Sequence, residues 1–317
     1  MDIFHDIRNR SLLEQCPDGV PLRDWVKFRE NYHDANILLD IGHPVQIDIE
    51  LNSTCNMKCP FCIHGYSDRA VSSISFDTYK QIINEAVSLG VRGLKMNYLN
   101  EPMLRKDLEA HIKYAKNAGM LNIYMTTNGT LLNKSRREQI IDSGITKIFI
   151  SIDAATSGTY DKQRLSGKFD KVVSNVIELV KERNRRGLDY PLVRVSFLRN
   201  KINLLEEQAF FNYWKGRVDM VAFQKMNDLP DTDSGITIKE HTSTDYRCSF
   251  PFKQLVVDSE GDILPCCKMG GKELVLGNIK SMSLREAWGS DKAKSIRSMH
   301  EHRAWRENKI CTRCILG

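Results

Sequence analysis

The sequence predicts an α/β fold in which six strands alternate with helices, followed by a cysteine-bearing tail. Three observations carry this reading. Short apolar or alternating runs recur at regular intervals, helix-length segments of about 10–18 residues fill the gaps between them, and glycines close those segments. From about residue 226 the rhythm stops.

The lead-in, residues 1–45, is a mixed polar and aromatic extension in which Pro17, Pro21 and Pro44 argue against a long helix. The alternation in Gln46-Ile47-Asp48-Ile49-Glu50-Leu51 predicts the first strand. A helix of about 14 residues starts at Phe76 with Ser75 as cap and stops at Gly90, and a short strand lies around Leu94–Tyr98. The unit repeats with helix 105–118 before Gly119, strand 121–126 before Thr127-Asn128-Gly129, helix 133–143 before Gly144, and strand 147–152 before Asp153. Helix 168–186 precedes strand 192–197, and helix 203–215 precedes strand 218–223. Alternation of this kind implies parallel pairing, helices outside the sheet, and functional loops at the carboxyl ends of the strands. A polar linker through Asp228, Pro230, Asp231, Asp233, Ser234 and Gly235 then separates residues 46–225 from a third region, 226–317.

With 317 residues, of which 41% are hydrophobic, the chain has an ordinary globular composition and enough length for a sizeable core. No apolar run of about 18 residues occurs and the first residues do not resemble a secretory leader, so a cytoplasmic protein without a membrane partner is expected. The net charge of +6 is scattered. Lys134, Arg136, Arg137, Lys181, Arg183, Arg185 and Arg186 read as solvated helix faces, and no nucleic-acid motif is present.

Nine cysteines in a cytosolic chain point to metal or catalysis rather than to a disulfide scaffold. Only Cys16 stands alone, and it reads as packing. Cys55, Cys59 and Cys62 fall within eight residues, directly after the first strand. Three thiolates can hold three irons of a cubic iron–sulfur cluster and leave the fourth iron open for a small molecule. A structural zinc ion would require a fourth ligand nearby, and His64 is too close to Cys62 to close a tetrahedral loop comfortably.

This spacing, with Phe61 just before the last cysteine and the first strand of a six-fold repeat just before the loop, resembles the radical S-adenosylmethionine superfamily. The resemblance implies a partial TIM-like (β/α)6 barrel and a 4Fe-4S cluster whose open iron chelates S-adenosylmethionine. One electron through that cluster then yields a 5′-deoxyadenosyl radical, which takes a hydrogen atom from an unactivated C–H. It also implies an external one-electron donor such as flavodoxin or ferredoxin. Leu99-Asn100-Glu101-Pro102 stands where the superfamily carries Gly-Gly-Glu-Pro, so Glu101 would receive the methionine ammonium, with Asn100 departing from glycine. Asn128, Ser151 and Asp153 end strands where similar enzymes contact the cofactor; Asn128 also reads as the turn residue of Asn-Gly. Arg194 and Ser196 share one face of their strand, which is either the interior, where Arg194 would pair with a carboxylate, or the helix side. His64, Tyr66, Tyr98 and Lys225 lie near strand ends and could line the site.

In the tail, Cys248, then Gly261-Asp262-Ile263-Leu264-Pro265-Cys266, and finally Cys311-Thr312-Arg313-Cys314 resemble a shortened SPASM motif, the twitch form, with one auxiliary 4Fe-4S cluster. Val256–Leu264 reads as a hairpin. Cys248, Cys266, Cys311 and Cys314 would saturate the auxiliary cube, and a zinc site is the alternative use of the same thiols. Cys267 is then left over. On an extended segment it points opposite to Cys266 and can serve as hydrogen-atom donor, as packing, or as an alternative ligand. As donor it would make the enzyme a radical epimerase of a polyhydroxylated small molecule of sugar or aminoglycoside type. The second reading is a dehydrogenase that oxidises a secondary alcohol through the auxiliary cluster, and peptide modification is the third.

Overall fold

The structure, a computed structural model, describes residues 3–6, 11, 14–65, 69–226, 235–238, 245–267 and 271–316. The linker residues 228–234 lie outside them. The described strands form one ten-stranded sheet: β1 (Ile3–Asp6), β2 (Gln46–Ile49), β3 (Gly93–Lys95), β4 (Asn122–Thr127), β5 (Lys147–Ser151), β6 (Leu192–Arg199), β7 (Met220–Lys225), β8 (Gln254–Val257), β9 (Asp262–Leu264) and β10 (Gly277–Asn278). The six predicted strands are β2 to β7, each parallel to the next. They are the strands of an open partial barrel. At one edge β1 pairs antiparallel with β7, which the lead-in sequence did not signal. At the other edge β8 pairs parallel with β2, so the tail hairpin β8–β9 continues the sheet.

Helices α1 (Leu22–Asn36), α2 (Phe76–Ser88), α3 (Leu108–Ala118), α4 (Lys134–Asp142), α5 (Ser157–Gln163), α6 (Phe169–Arg185) and α7 (Glu207–Trp214) belong to the lead-in and the barrel. The tail adds α8 (Phe250–Lys253), α9 (Leu284–Gly289), α10 (Asp291–Glu301) and α11 (Lys309–Leu316). None of the described helices is long and apolar enough to cross a membrane.

Local chemistry sets the helix ends. Ser75 accepts the Thr78 N–H and starts α2, Asn133 does the same for Arg136 and starts α4, and Gly119 ends α3 in the left-handed region at φ 110°. The segment expected to be one helix over 203–215 divides into a 3-10 turn, Leu204–Glu206, and α7. Helix α5, missed in the sequence, is capped by Thr156, whose hydroxyl and N–H both bond Glu206.

Alternation along the strands separates two faces. Ile47, Ile49, Leu94, Ile123, Met125, Ile148, Ile150, Val193 and Val195 are buried in the core cluster with residues of α2, α3, α4 and α6. The opposite face carries Asp48, Lys95, Tyr124, Phe149 and Arg194, which form a chain of contacts. Lys95 lies 3.7 Å from Asp48, the Tyr124 and Phe149 rings are 5.1 Å apart, and the Arg194 guanidinium lies 3.4 Å from the Phe149 centroid. A polar strand face opposite the helices is the barrel interior.

The lead-in corrects one expectation. It forms a 15-residue helix, α1, because Pro21 sits at its N-cap, where a missing N–H costs nothing, and Pro44 follows well past its end. Trp25 of α1 is fully buried, with the Lys147 ammonium 5.8 Å from its ring, and Lys253 lies 5.1 Å from Tyr32. Lys147 begins β5 and Lys253 precedes β8, so α1 packs at the amino ends of the strands, opposite the functional loops. Arg183 also departs from its expected solvated face. Its side chain is 1% exposed and pairs with Asp219, which also accepts the Val193 N–H at 2.6 Å.

Trp25→Ala should cost about 3–5 kcal/mol of unfolding free energy, as for other buried aromatic truncations. Denaturant unfolding of the two proteins measures it, and unchanged stability would show that α1 is not part of the folded core.

Candidate functional site

The three-thiol loop leaves the carboxyl end of β2. The Cys62 N–H bonds the Cys59 carbonyl at 3.0 Å, which turns the chain sharply through Pro60-Phe61. Burial pushes the Cys55 thiol up to about 11, with the Glu101, Cys59 and Cys62 charges adding to the rise, and burial also raises Cys62. The three thiols are thus close enough to feel one another's charge, with Cys59 buried and Cys55 and Cys62 half-buried. Their sulfurs do not all lie within 4.8 Å of one another, and the same holds for the tail thiols. Tetrahedral zinc with Zn–S near 2.3 Å would need sulfurs about 3.8 Å apart, so both sets suit a larger multinuclear cluster better. Two orphaned buried hydroxyls, Tyr160 Oη and Ser196 Oγ, also fit a site that takes a polar guest.

Glu101 is 2% exposed and accepts from the Met103 N–H at 3.0 Å, the Thr127 hydroxyl at 2.7 Å and the Asn128 N–H at 2.8 Å. Burial raises its pKa and these bonds oppose the rise. Three of about four acceptor positions are thus used within the protein. Asn100 has negative φ, so this position does not require glycine. Its amide donates to Asn52 Oδ1 at 3.0 Å and its oxygen accepts the Tyr98 N–H at 3.1 Å. Asn128 closes the Asn-Gly turn and also donates to Asn56 of the thiol loop at 2.8 Å.

Asp153 follows β5 at φ 63° and is 1% exposed. It accepts the Leu198 N–H at 2.7 Å and Arg164 Nε at 2.9 Å. Arg164, which sequence reasoning missed, continues to Cys59 Sγ at 3.6 Å and lies 5.3 Å from the Phe61 ring centroid. Burial works against its charge, but Asp153 and the Cys59 sulfur outweigh burial and raise its pKa. No sequence signal marks Arg164, because it follows a short helix that is itself weak in the pattern. Ser151 ends β5 in register with Ser196 of β6. Arg194 lies in the interior, between the rings of Phe149 and Phe4.

Glu50 was also missed as a site residue. Fully buried just past β2, it accepts from Arg69 at 3.0 and 2.5 Å, from the Leu99 N–H at 3.1 Å, and from Ser259 N–H and Oγ at 3.2 and 2.9 Å. His64 is half-buried near Arg69 and Glu50, and its pKa is lowered by burial and by the Arg69 charge. Lys225 ends β7, half-buried; Tyr66 lies outside the described residues. Cys16 donates to the Val20 carbonyl at 3.5 Å within its own turn.

In the tail, burial pushes Cys248 up to about 12, and the thiols whose charges it feels most are Cys314, Cys267 and Cys311. Cys311 is raised to about 11 by burial and by Cys314, and His300 Nε2 lies 3.6 Å from its sulfur. Burial raises the Tyr98 hydroxyl, with Cys266 and Cys267 adding to the rise. The tail thiols and the Tyr98 loop therefore share one neighbourhood.

A parallel partial barrel with a three-thiol loop at the end of its first parallel strand and a second thiol set facing the rim defines a cluster-bearing enzyme. Residues 49–194 match the model of the radical S-adenosylmethionine superfamily and residues 248–315 that of an iron-sulfur cluster-binding domain, SPASM, so the chain carries both domains. It takes S-adenosylmethionine and two iron–sulfur clusters. It is 23% identical to the S-adenosyl-L-methionine-dependent 2-deoxy-scyllo-inosamine dehydrogenase of Niallia circulans, over 84% of this chain and 91% of that protein. It is 30% identical to a probable GTP 3′,8-cyclase of Methanococcus maripaludis over 52% of this chain, and spans about half, 53%, of that relative's length. Among solved structures, BtrN in complex with AdoMet and 2-DOIA shares the fold at 21% identity and a TM-score of 0.55, covering 84% of this chain and 91% of that one.

Arg164→Leu should destabilise the fold by about 3–5 kcal/mol, because it leaves the buried Asp153 carboxylate without its cation. Denaturant unfolding of the cluster-free chain tests this. A loss below about 1 kcal/mol, the range of exposed pairs, would show that Asp153 is solvated.

Proposed function

We propose that this enzyme is a radical S-adenosylmethionine dehydrogenase that oxidises a secondary alcohol of a polyhydroxylated small molecule. The observation that carries the reading is the similarity to the inosamine dehydrogenase along 84% of this chain and 91% of that protein. The closeness of Cys267 to Cys248 supports it, since a thiol beside a ligand suits electron transfer better than a free hydrogen donor.

Cys55, Cys59 and Cys62 would hold the cluster that binds S-adenosylmethionine, and Cys248, Cys311, Cys314 and one of Cys266 and Cys267 would hold the auxiliary cluster. When bound, these groups supply a 5′-deoxyadenosyl radical that takes one hydrogen atom, together with a one-electron acceptor and an external donor's electron. The alcohol loses a hydrogen atom from carbon, a proton from oxygen and one further electron, and the C–O bond becomes a carbonyl. The protein's own part is to orient the substrate and take the proton. Asp48 is suited to accept that proton, because it faces the interior, burial raises its pKa, and Lys95 and Gln46 hold it in place. Asn100, Glu101, Asn128, Ser151, Asp153 and Arg194 shape the surrounding rim and interior. Glu101 retains one acceptor position for the methionine ammonium, whereas Asp153 acts through Arg164.

A second reading remains because the tail has five thiols for four ligand positions. The unused member of the Cys266–Cys267 pair, beside Tyr98, would return a hydrogen atom and epimerise the carbon. Among the described residues no feature of the site favours the third class, peptide modification.

Two measurements test the assignment. The anaerobically reconstituted triple variant Cys55→Ala, Cys59→Ala, Cys62→Ala should keep about four of about eight irons and lose S-adenosylmethionine cleavage. Retention of all the iron would refute the ligand set. With 2-deoxy-scyllo-inosamine and related cyclitols in deuterated water, a ketone without carbon-bound solvent deuterium is expected, and Asp48→Asn should lower kcat/KM about 10²–10⁴-fold. An epimer carrying one deuterium would establish the thiol-donor reading instead.

A further inference from the structure

Glu50 has no part in the chemistry above, yet it is fully buried and accepts bonds from three separate segments. The first is Arg69, in the chain that leaves the thiol loop, which donates through both terminal guanidinium nitrogens. The second is the Leu99 N–H, in the loop between Tyr98 and Glu101. The third is Ser259, at the β8–β9 turn that leads into Cys266 and Cys267, bound through both N–H and hydroxyl. Ser259 Oγ also lies 2.7 Å from Ser72 Oγ, so the tail turn meets the thiol-loop segment directly as well. A buried carboxylate without donors would be costly, so five bonds on one group hold the three segments to a single arrangement. The β2–β8 ladder aligns the tail as a strand, and Glu50 fixes the turn above it.

We propose that Glu50 is a positioning residue that locks the tail hairpin to the radical-generating loop and so sets the spacing between the two clusters. This rests on the assignment of the two thiol sets as cluster ligands. It does not depend on the substrate. Electron transfer between buried centres needs a fixed separation, and Glu50 ties the hairpin turn to both loops beyond the strand edge.

The test uses the reconstituted, dithionite-reduced holoenzyme without substrate. In Glu50→Gln, which loses the charge that holds Arg69, the Leu99 and Ser259 amides should exchange about tenfold faster while β6 amides keep wild-type protection. Paramagnetic relaxation of the first cluster by the second, read from microwave power saturation, should weaken toward that of a protein lacking the tail cluster. Ser259→Ala cuts the hydroxyl arm to Glu50 and with it the Ser72 contact, and keeps the Ser259 N–H arm. It should weaken the relaxation and leave the Leu99 amide protected, and it decides the matter if Glu50→Gln fails to fold. Wild-type relaxation in a folded variant that retains both clusters would overturn the proposal. Loss of iron from wild-type protein after reconstitution would instead refute the ligand assignment, so the two failures are distinct.

Discussion

Three buried carboxylates at the carboxyl ends of strands hold this site together. Glu50 follows β2, Glu101 follows β3 and Asp153 follows β5, and each is at most 2% exposed. Each accepts a backbone N–H from a neighbouring strand or its loop: Leu99 for Glu50, Asn128 for Glu101 and Leu198 for Asp153. Loops at the end of a parallel sheet have no ladder of their own, and their free N–H groups must be satisfied. A carboxylate can accept several at once, and burial strengthens each bond. The rim is therefore laced from strand to strand, which lets irregular chain present thiols in a fixed arrangement.

The same lacing explains what could be read from the sequence. Strands β2 to β7 and helices α2, α3, α4 and α6 were legible because their burial follows simple periods and their caps are local. The cysteine sets were legible because ligand spacing is local too. Glu50 and Arg164 were not, because their partners lie from 11 to 209 residues away and neither belongs to a local motif. The edge pairings of β1 and β8 were hidden for a related reason: nothing in a strand's own sequence states which neighbour it takes. Pro21 misled in the opposite direction, since a proline that excludes a helix interior is well suited to a helix start.

Glu101 and Asp153 show how a family motif and a structure inform each other. The motif assigns Glu101 to the cofactor, and the structure adds that most of its acceptor capacity already fixes Thr127 and Asn128. Asn100 in place of glycine, a departure at the motif level, becomes a bridge between Asn52 and Tyr98. Asp153 reaches the thiol loop through Arg164.

The thiols complete the electrostatic picture. In the cluster-free chain burial raises Cys55, Cys248 and Cys311, so these groups are neutral at physiological pH. A thiol whose folded pKa exceeds its unfolded value of about 8.5 favours folding below that value, and the advantage fades as pH rises toward the folded pKa. Iron reverses the sign, because it binds thiolate and displaces the proton. Cluster insertion thus exchanges buried neutral thiols for thiolates neutralised by metal, beside Arg164 at one set and near His300, which burial holds down at about 4, at the other. A guanidinium paired to Asp153 lies beside the first set and an imidazole beside the second. The two cluster sites therefore differ electrostatically through residues outside the cysteine motifs.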